Sequence, residues 1–245
     1  MLAAVLLSAA LAAPAQRLKD FSTPTPVASG STLIIGLPNG AGESEDKTDP
    51  ANGLAIRLRA LELPGVYVET AGHAQRRDVF RFITQASGRD REGRCLAEGC
   101  RDVRLILYGW GEGAEAITKI ARELNHIGVP VALEVGVDAA GECGGTVPPN
   151  VARAANACLD ERWAEHGRKQ IHAIDPTKTV ILANLRRSRE GRWRDIAEAT
   201  PLEQKTRDRD SQLEADPLLW NHVEDFILEE LHRAGIPGAP APPPH

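Results

Sequence analysis

Short apolar runs and amphipathic stretches take turns along most of the chain. Continuous apolar runs at 32–37 (TLIIGL), 66–70 (VYVET), 105–108 (LILY), 131–137 (VALEVGV) and 179–185 (TVILANL) are bounded by Gly, Pro or charged residues and predict strands. Between them, apolar residues recur at i, i+3 and i+4 and predict helices. Asp49 is an N-cap with Pro50 in the first turn, Leu54, Leu58 and Leu61 share one face, and Pro64-Gly65 ends the helix. A second helix over about 74–87 buries Val79, Phe82 and Ile83. A third follows Gly113, with Ile117, Ile120, Ala121, Leu124 and Ile127 on one face. VPPNVARAANACLDERW predicts a fourth from about residue 150. Asp216-Pro217 starts the last, with Val223, Phe226, Ile227 and Leu231 turned inward. Strand and helix thus alternate five times, the pattern of an α/β protein with a mostly parallel sheet covered on both faces. The binding crevice of such a sheet lies beyond the carboxyl ends of its strands, at the loops after residues 37, 70, 108, 137 and 185.

The two ends differ from this middle. Residues 1–15 form a short apolar run closing in Ala13-Pro14-Ala15, which predicts an export signal removed at an A-x-A site, although no basic residue precedes the run. The run is too short to span a bilayer. Residues 16–31 are rich in Pro, Ser and Thr and read as a linker; residues 32–235 form the domain; the Pro-rich stretch 236–245 reads as a disordered tail. With 245 residues, 42% of them apolar, one sizeable core is expected. A net charge of −5 with no basic block argues against nucleic acid as a partner. The four cysteines suit an exported chain, and the neighbours Cys95 with Cys100 and Cys143 with Cys158 are the favoured pairs among three connectivities. No C-x-x-C or nearby His completes a zinc set, so no metal or other cofactor is expected. Asp90 and Glu92 before Gly93 have a faint likeness to a calcium loop, but Gly99 stands where its bidentate glutamate belongs.

Between the third strand and the third helix lies Gly-Trp-Gly-Glu-Gly, residues 109–113. Strand, sharp glycine turn and helix is the setting of the nucleophile elbow, G-x-S-x-G, with Gly111 in place of the serine. Gly109 and Gly113 fit the supporting positions. The helix N-terminus aims its N–H groups and its dipole at the turn. The N–H of Glu112, with one from the loop at Asn39 and Gly40, is the candidate oxyanion hole.

The elbow, the acid in EVGVDAAG, the segments VPPNVARAAN and IDPTKTVILANL, and the closing EADPLLW resemble small exported bacterial α/β-hydrolase proteins of lipase/thioesterase type, over residues from about 32 to 233. The resemblance implies a three-layer α/β-hydrolase-like domain and a Ser, Asp, His triad in that chain order. It places the nucleophile on Gly111, the acid on Asp138 at a strand end, and the base near Asp210 or Ser211. No histidine occurs between Leu185 and Asn221, and His222 falls inside the last predicted helix as a surface residue. Glycine has no atom to attack a carbonyl, and loss of nucleophile or base removes of order 10⁶ of a triad's rate. A hydrolase-derived protein without Ser-His catalysis, binding an acyl or peptide-like ligand, is the expectation.

Several alternatives stay open. Ser44, beside Glu43, Glu45 and Asp46, is a substitute nucleophile or a solvated loop serine. Glu112 is an acid/base group or a favourable charge at a helix start. His73 reaches the crevice mouth or caps a helix. Trp110 lines a ligand pocket or fills a gap over the sheet. A serine-independent ester or thioester hydrolase is one further reading. Another is a nucleotide-binding protein, because Gly109-x-Gly111-x-x-Ala114 also fits the dinucleotide fingerprint, with Glu134 or Asp138 as the ribose acid. The fingerprint belongs to a first β-α unit, however, and two units precede this one. The residues set no oligomeric state.

Overall fold

A computed structural model describes residues 21–39, 49–139, 145–158, 170–187, 193–195 and 216–241. The strands are β1 (Ser31–Leu37), β2 (Val66–Thr70), β3 (Val103–Trp110), β4 (Val131–Val137), β5 (Gly145–Val147), β6 (Val151–Cys158), β7 (Ile171–Ala173), β8 (Val180–Arg187) and β9 (Trp193–Asp195). Seven of them form one sheet in the order β2-β1-β3-β4-β6-β8-β9. Its first six strands are parallel, and β9 runs antiparallel at the edge. β5 and β7 pair as a separate two-stranded parallel ribbon. Because β2 follows β1 on one side and β3 returns on the other, the strand order reverses between β1 and β3. That is the switch point at which open α/β sheets leave a crevice.

The helices are α1 (Pro50–Ala60), α2 (Arg76–Ala86), α3 (Glu112–His126) and α4 (Pro217–Arg233). Both caps read from the sequence are formed. Asp49 accepts from the Ala51 and Asn52 N–H groups, and Asp216 accepts from Leu218 N–H, each ahead of a proline in the first turn. Alternate residues of the strands face two cores. Ile34, Ile106, Tyr108, Leu133 and Val135 pack with α1 and α4. Leu33, Ile35, Leu105 and Leu107 pack with α2 and α3. Each such side chain, fully buried, contributes about 1.5–3 kcal/mol, so the layers rather than the loops hold the sheet. The result is a three-layer α/β domain. On the α4 face, Glu230 is 2% exposed and pairs with Arg104 (2.7 Å) and Arg153, joining the helix to the amino-terminal halves of β3 and β6.

Three regions differ from the sequence reading. The helix expected from residue 150 is strand β6, inserted between β4 and β8. Its alanines are good helix formers, but here both faces of the segment are covered, and small side chains suit a doubly covered central strand. Asn150 fixes its start by donating to Ala121 O (3.1 Å) and Val129 O (2.9 Å). Residues 21–30, read as part of a linker, pack on the domain. Phe21 stacks on Phe82 with centroids 4.0 Å apart, and Thr23 donates through N–H and hydroxyl to the fully buried Glu69 (2.8 and 2.6 Å). At the other end, Ile236 and Ala239 pack against the α1/α4 core. The expected signal at 1–15 lies outside the described residues, and among the described residues no helix is long and apolar enough to cross a membrane.

Candidate functional site

The elbow sequence folds into a tight turn whose three glycines are each enforced by contact. Gly111 has φ 57° and ψ −120°, a conformation that L side chains rarely adopt. A Cβ on Gly109 would lie 2.6 Å from the backbone of Gly113, and one on Gly113 would overlap the carbonyls of Leu37 and Pro38. The start of α3 therefore lies directly on the end of β1, and only glycine fits at either place. Gly111 N–H donates to Val137 O (2.9 Å), which brings the end of β4 beside the turn.

The space a nucleophile would occupy is filled. A Cβ on Gly111 would overlap the Oδ1 and Cγ of Asn39, the residue two past β1. That same Oδ1 accepts the N–H of Glu112 at 3.0 Å. The donor required for an oxyanion hole, or for a bound phosphate, is thus already capped by a side chain from the switch-point loop. Beyond Gly113, the N–H groups of Ala114 and Glu115 donate to Gly111 O (3.1 and 3.3 Å).

Asp138 follows β4 directly, half-buried, with φ 46°, and its N–H donates to Ala157 O (2.7 Å). Asp and Asn are the side chains most often found with positive φ, because a short polar group bonds locally. Trp110 is 8% exposed and belongs to the α1/α4 core, so it fills the sheet face rather than lining a crevice. His222 lies half-buried within α4. Asp210, Gly40 and Ser44 lie outside the described residues.

An imidazole does reach this rim. His73 opens a short 3₁₀ turn after β2, and its Nε2 lies 3.0 Å from Glu112 Oε2. Its Nδ1 is buried and has no hydrogen-bond partner among the described residues. The sequence places His73 near a helix start but gives no sign of this pairing, which depends on β2 and β3 lying on either side of β1.

Elsewhere, Cys95 and Cys100 form a disulfide, and Cys158 is also disulfide-bonded, while Cys143 lies outside the described residues. In the loop that was compared with a calcium site, Asp90 accepts from the N–H groups of Glu92 and Arg94 and from the Arg94 guanidinium (3.0, 2.9 and 2.7 Å). Its carboxylate organises the turn between α2 and the disulfide.

A cavity lies one strand away. A cavity of about 200 Å³ opens between the first three turns of α3, the carboxyl halves of β4 and β6, and the β5–β7 ribbon. Glu134 lines it and is 5% exposed. Glu134 Oε1 accepts from Thr118 Oγ1 (2.7 Å), whereas the buried Oε2 has no partner among the described residues. Burial pushes the Glu134 carboxyl well above the usual carboxylate range, with the Thr118 hydroxyl and the Arg122 charge acting weakly the other way. A charged residue inside the apolar run VALEVGV was the available signal for this site, yet the sequence singles out Glu134 only as a ribose acid of the dinucleotide fingerprint.

No protein-family model matches the chain, and no curated protein matches it in sequence.

Proposed function

We propose that this chain is an α/β-hydrolase-related protein that has lost Ser-His catalysis and acts by binding a small acyl or peptide-like ligand. One observation carries the reading. At the elbow turn, a glycine with positive φ stands at the nucleophile position, and the side chain of Asn39 occupies the space where a hydroxyl would project. The capped Glu112 N–H supports it further, because tetrahedral intermediates need that donor free. The same capping weighs against the dinucleotide reading, which needs the helix N-terminus for a pyrophosphate. The disulfide and the predicted leader fit an exported protein, periplasmic or extracellular. The test is labelling of the full chain with a fluorophosphonate probe alongside turnover of p-nitrophenyl esters. Neither labelling nor turnover is expected, and strong labelling at any serine overturns the reading.

The pair His73–Glu112 favours a second reading, serine-independent ester or thioester hydrolysis. In it the exposed Glu112 carboxylate, oriented by the imidazole, takes a proton from water that attacks the carbonyl. General-base help of this kind is worth about 10²–10⁴ in rate. Ester turnover without fluorophosphonate labelling, lost in His73→Ala, would establish it in place of the first reading.

A further inference from the structure

The cavity behind α3 has the makings of a ligand site that the elbow lacks. Its floor is a carboxyl group nine-tenths buried, with one oxygen unpartnered. Among the described residues no Lys, Arg or His lies within ion-pair distance of that carboxyl. A lone carboxylate is disfavoured in low dielectric, so burial favours the neutral acid, which presents an O–H donor. With Thr118 already donating to Oε1, the acid hydrogen on Oε2 lacks an acceptor. The terminal torsion of glutamate is broad and roughly two-fold, so the carboxyl turns readily toward a ligand in the cavity.

The remaining wall chemistry sets what that ligand is. Ala114, Gly136, Val147 and Ile171 line the cavity with small or apolar surface. Lys119 and Arg122 stand on the same side of α3; Lys119 pairs with Glu115 at 2.9 Å, which leaves Arg122 as the uncompensated cation among the described lining residues. Arg122 reaches over to Thr146 O (3.3 Å) and acts on the Glu134 carboxyl through space. A donor at the floor, the Arg122 cation at the rim and a short apolar wall match an acceptor-bearing anion with a small alkyl end. The volume is below the roughly 300–1,000 Å³ of sites for drug-sized molecules, which limits the ligand to a short chain.

We propose that the cavity between α3 and the β5–β7 ribbon binds a short-chain carboxylate, its oxygens between Glu134 and Arg122 and its alkyl end over Gly136. This deepens the binding role given above, and it rests on that role for its biological meaning but not for its measurement. The test uses the full chain with butyrate as probe, followed by calorimetry and by ligand-observed NMR, with butylamine and butyramide as controls. Butyrate binds with Kd near or below about 1 mM, as expected for so small a ligand, and butylamine does not bind.

Three variants locate the site. Gly136→Leu places a side chain into the cavity without backbone conflict, since an added Cβ meets only Ala114 Cβ and Asn156 Oδ1 at an ordinary 3.8 Å. It weakens butyrate at least about tenfold, enough to read as 1.4 kcal/mol. Glu134→Leu does the same by removing the donor, while Glu134→Gln, which keeps an N–H donor, stays within about threefold of wild type. Absence of butyrate binding, preference for butylamine, or binding untouched by Gly136→Leu each overturns the proposal. A protein that binds no butyrate yet resists fluorophosphonate refutes this inference alone and leaves the inactive-elbow reading in place.

Discussion

Two regions lie side by side at the carboxyl end of this sheet, and they are finished differently. At the elbow the helix start is occupied and what is left over is enclosed: Asn39 caps Glu112, Gly113 lies against Leu37 and Pro38, and His73 meets Glu112 through Nε2 while its Nδ1 is buried. In the cavity one strand over, a buried carboxyl oxygen has no partner and there is open volume beside it. Buried polar groups are nearly always satisfied, so an unsatisfied one next to a void is the better marker of a binding place. A motif locates where chemistry belongs in a fold, whereas unused hydrogen-bonding capacity locates where a ligand is still needed.

The sharpest way to break this contrast is to disturb the elbow's packing. Gly113→Ala drives a methyl into the backbone of β1, which cannot move away without parting from its neighbours. A loss of about 3 kcal/mol or more is expected, read as a lower midpoint in urea unfolding; a loss under about 1 kcal/mol would mean that the turn is looser than its contacts indicate. Gly111→Ser is milder, because the obstructing atoms are the end of the Asn39 side chain. The positive φ still costs about 1–3 kcal/mol. Adding Asn39→Gly relieves the overlap but frees the Glu112 N–H, so the double variant recovers only part of the loss and remains unlabelled by fluorophosphonate. Full activity from either variant would show that a working base sits at the rim.

On the cavity side, the raised Glu134 carboxyl predicts a pH effect of definite sign. The native state holds this proton more tightly than the unfolded chain does. The stability it confers is therefore present below about pH 4.5 and is lost as pH rises toward the raised folded-state value. Relative to Glu134→Gln, wild-type stability should fall with pH over that window by at most about 1.4 kcal/mol per pH unit. Parallel profiles for the two proteins would mean that the carboxyl is solvated. The smallest effect belongs to the rim. Glu112 is 56% exposed, so His73→Ala is expected to alter stability by less than about 1 kcal/mol. A larger loss would show that His73 carries packing as well as the pair.

The sequence by itself determined the strands that read as continuous apolar runs, both Asp-Pro helix starts, and the strand-turn-helix at Gly109–Gly113, because each rests on residues within a few positions of one another. It also located Gly111 at the centre of that turn and Asp138 at the end of β4. Only the tertiary structure decided the rest. An alanine-rich segment became β6 because neighbours on both sides completed its hydrogen bonds, against its own helical preference. Residues 21–30 joined the domain through Glu69, nearly fifty positions along the chain. Asn39 came to stand over Gly111, and His73 beside Glu112, because the strand order reverses between β1 and β3 and brings the loops of three strands to one point. Glu134 became a buried, partly unsatisfied acid only when α3 and the β5–β7 ribbon closed around it. Burial and contact of this kind depend on chain crossings that local periodicity does not encode.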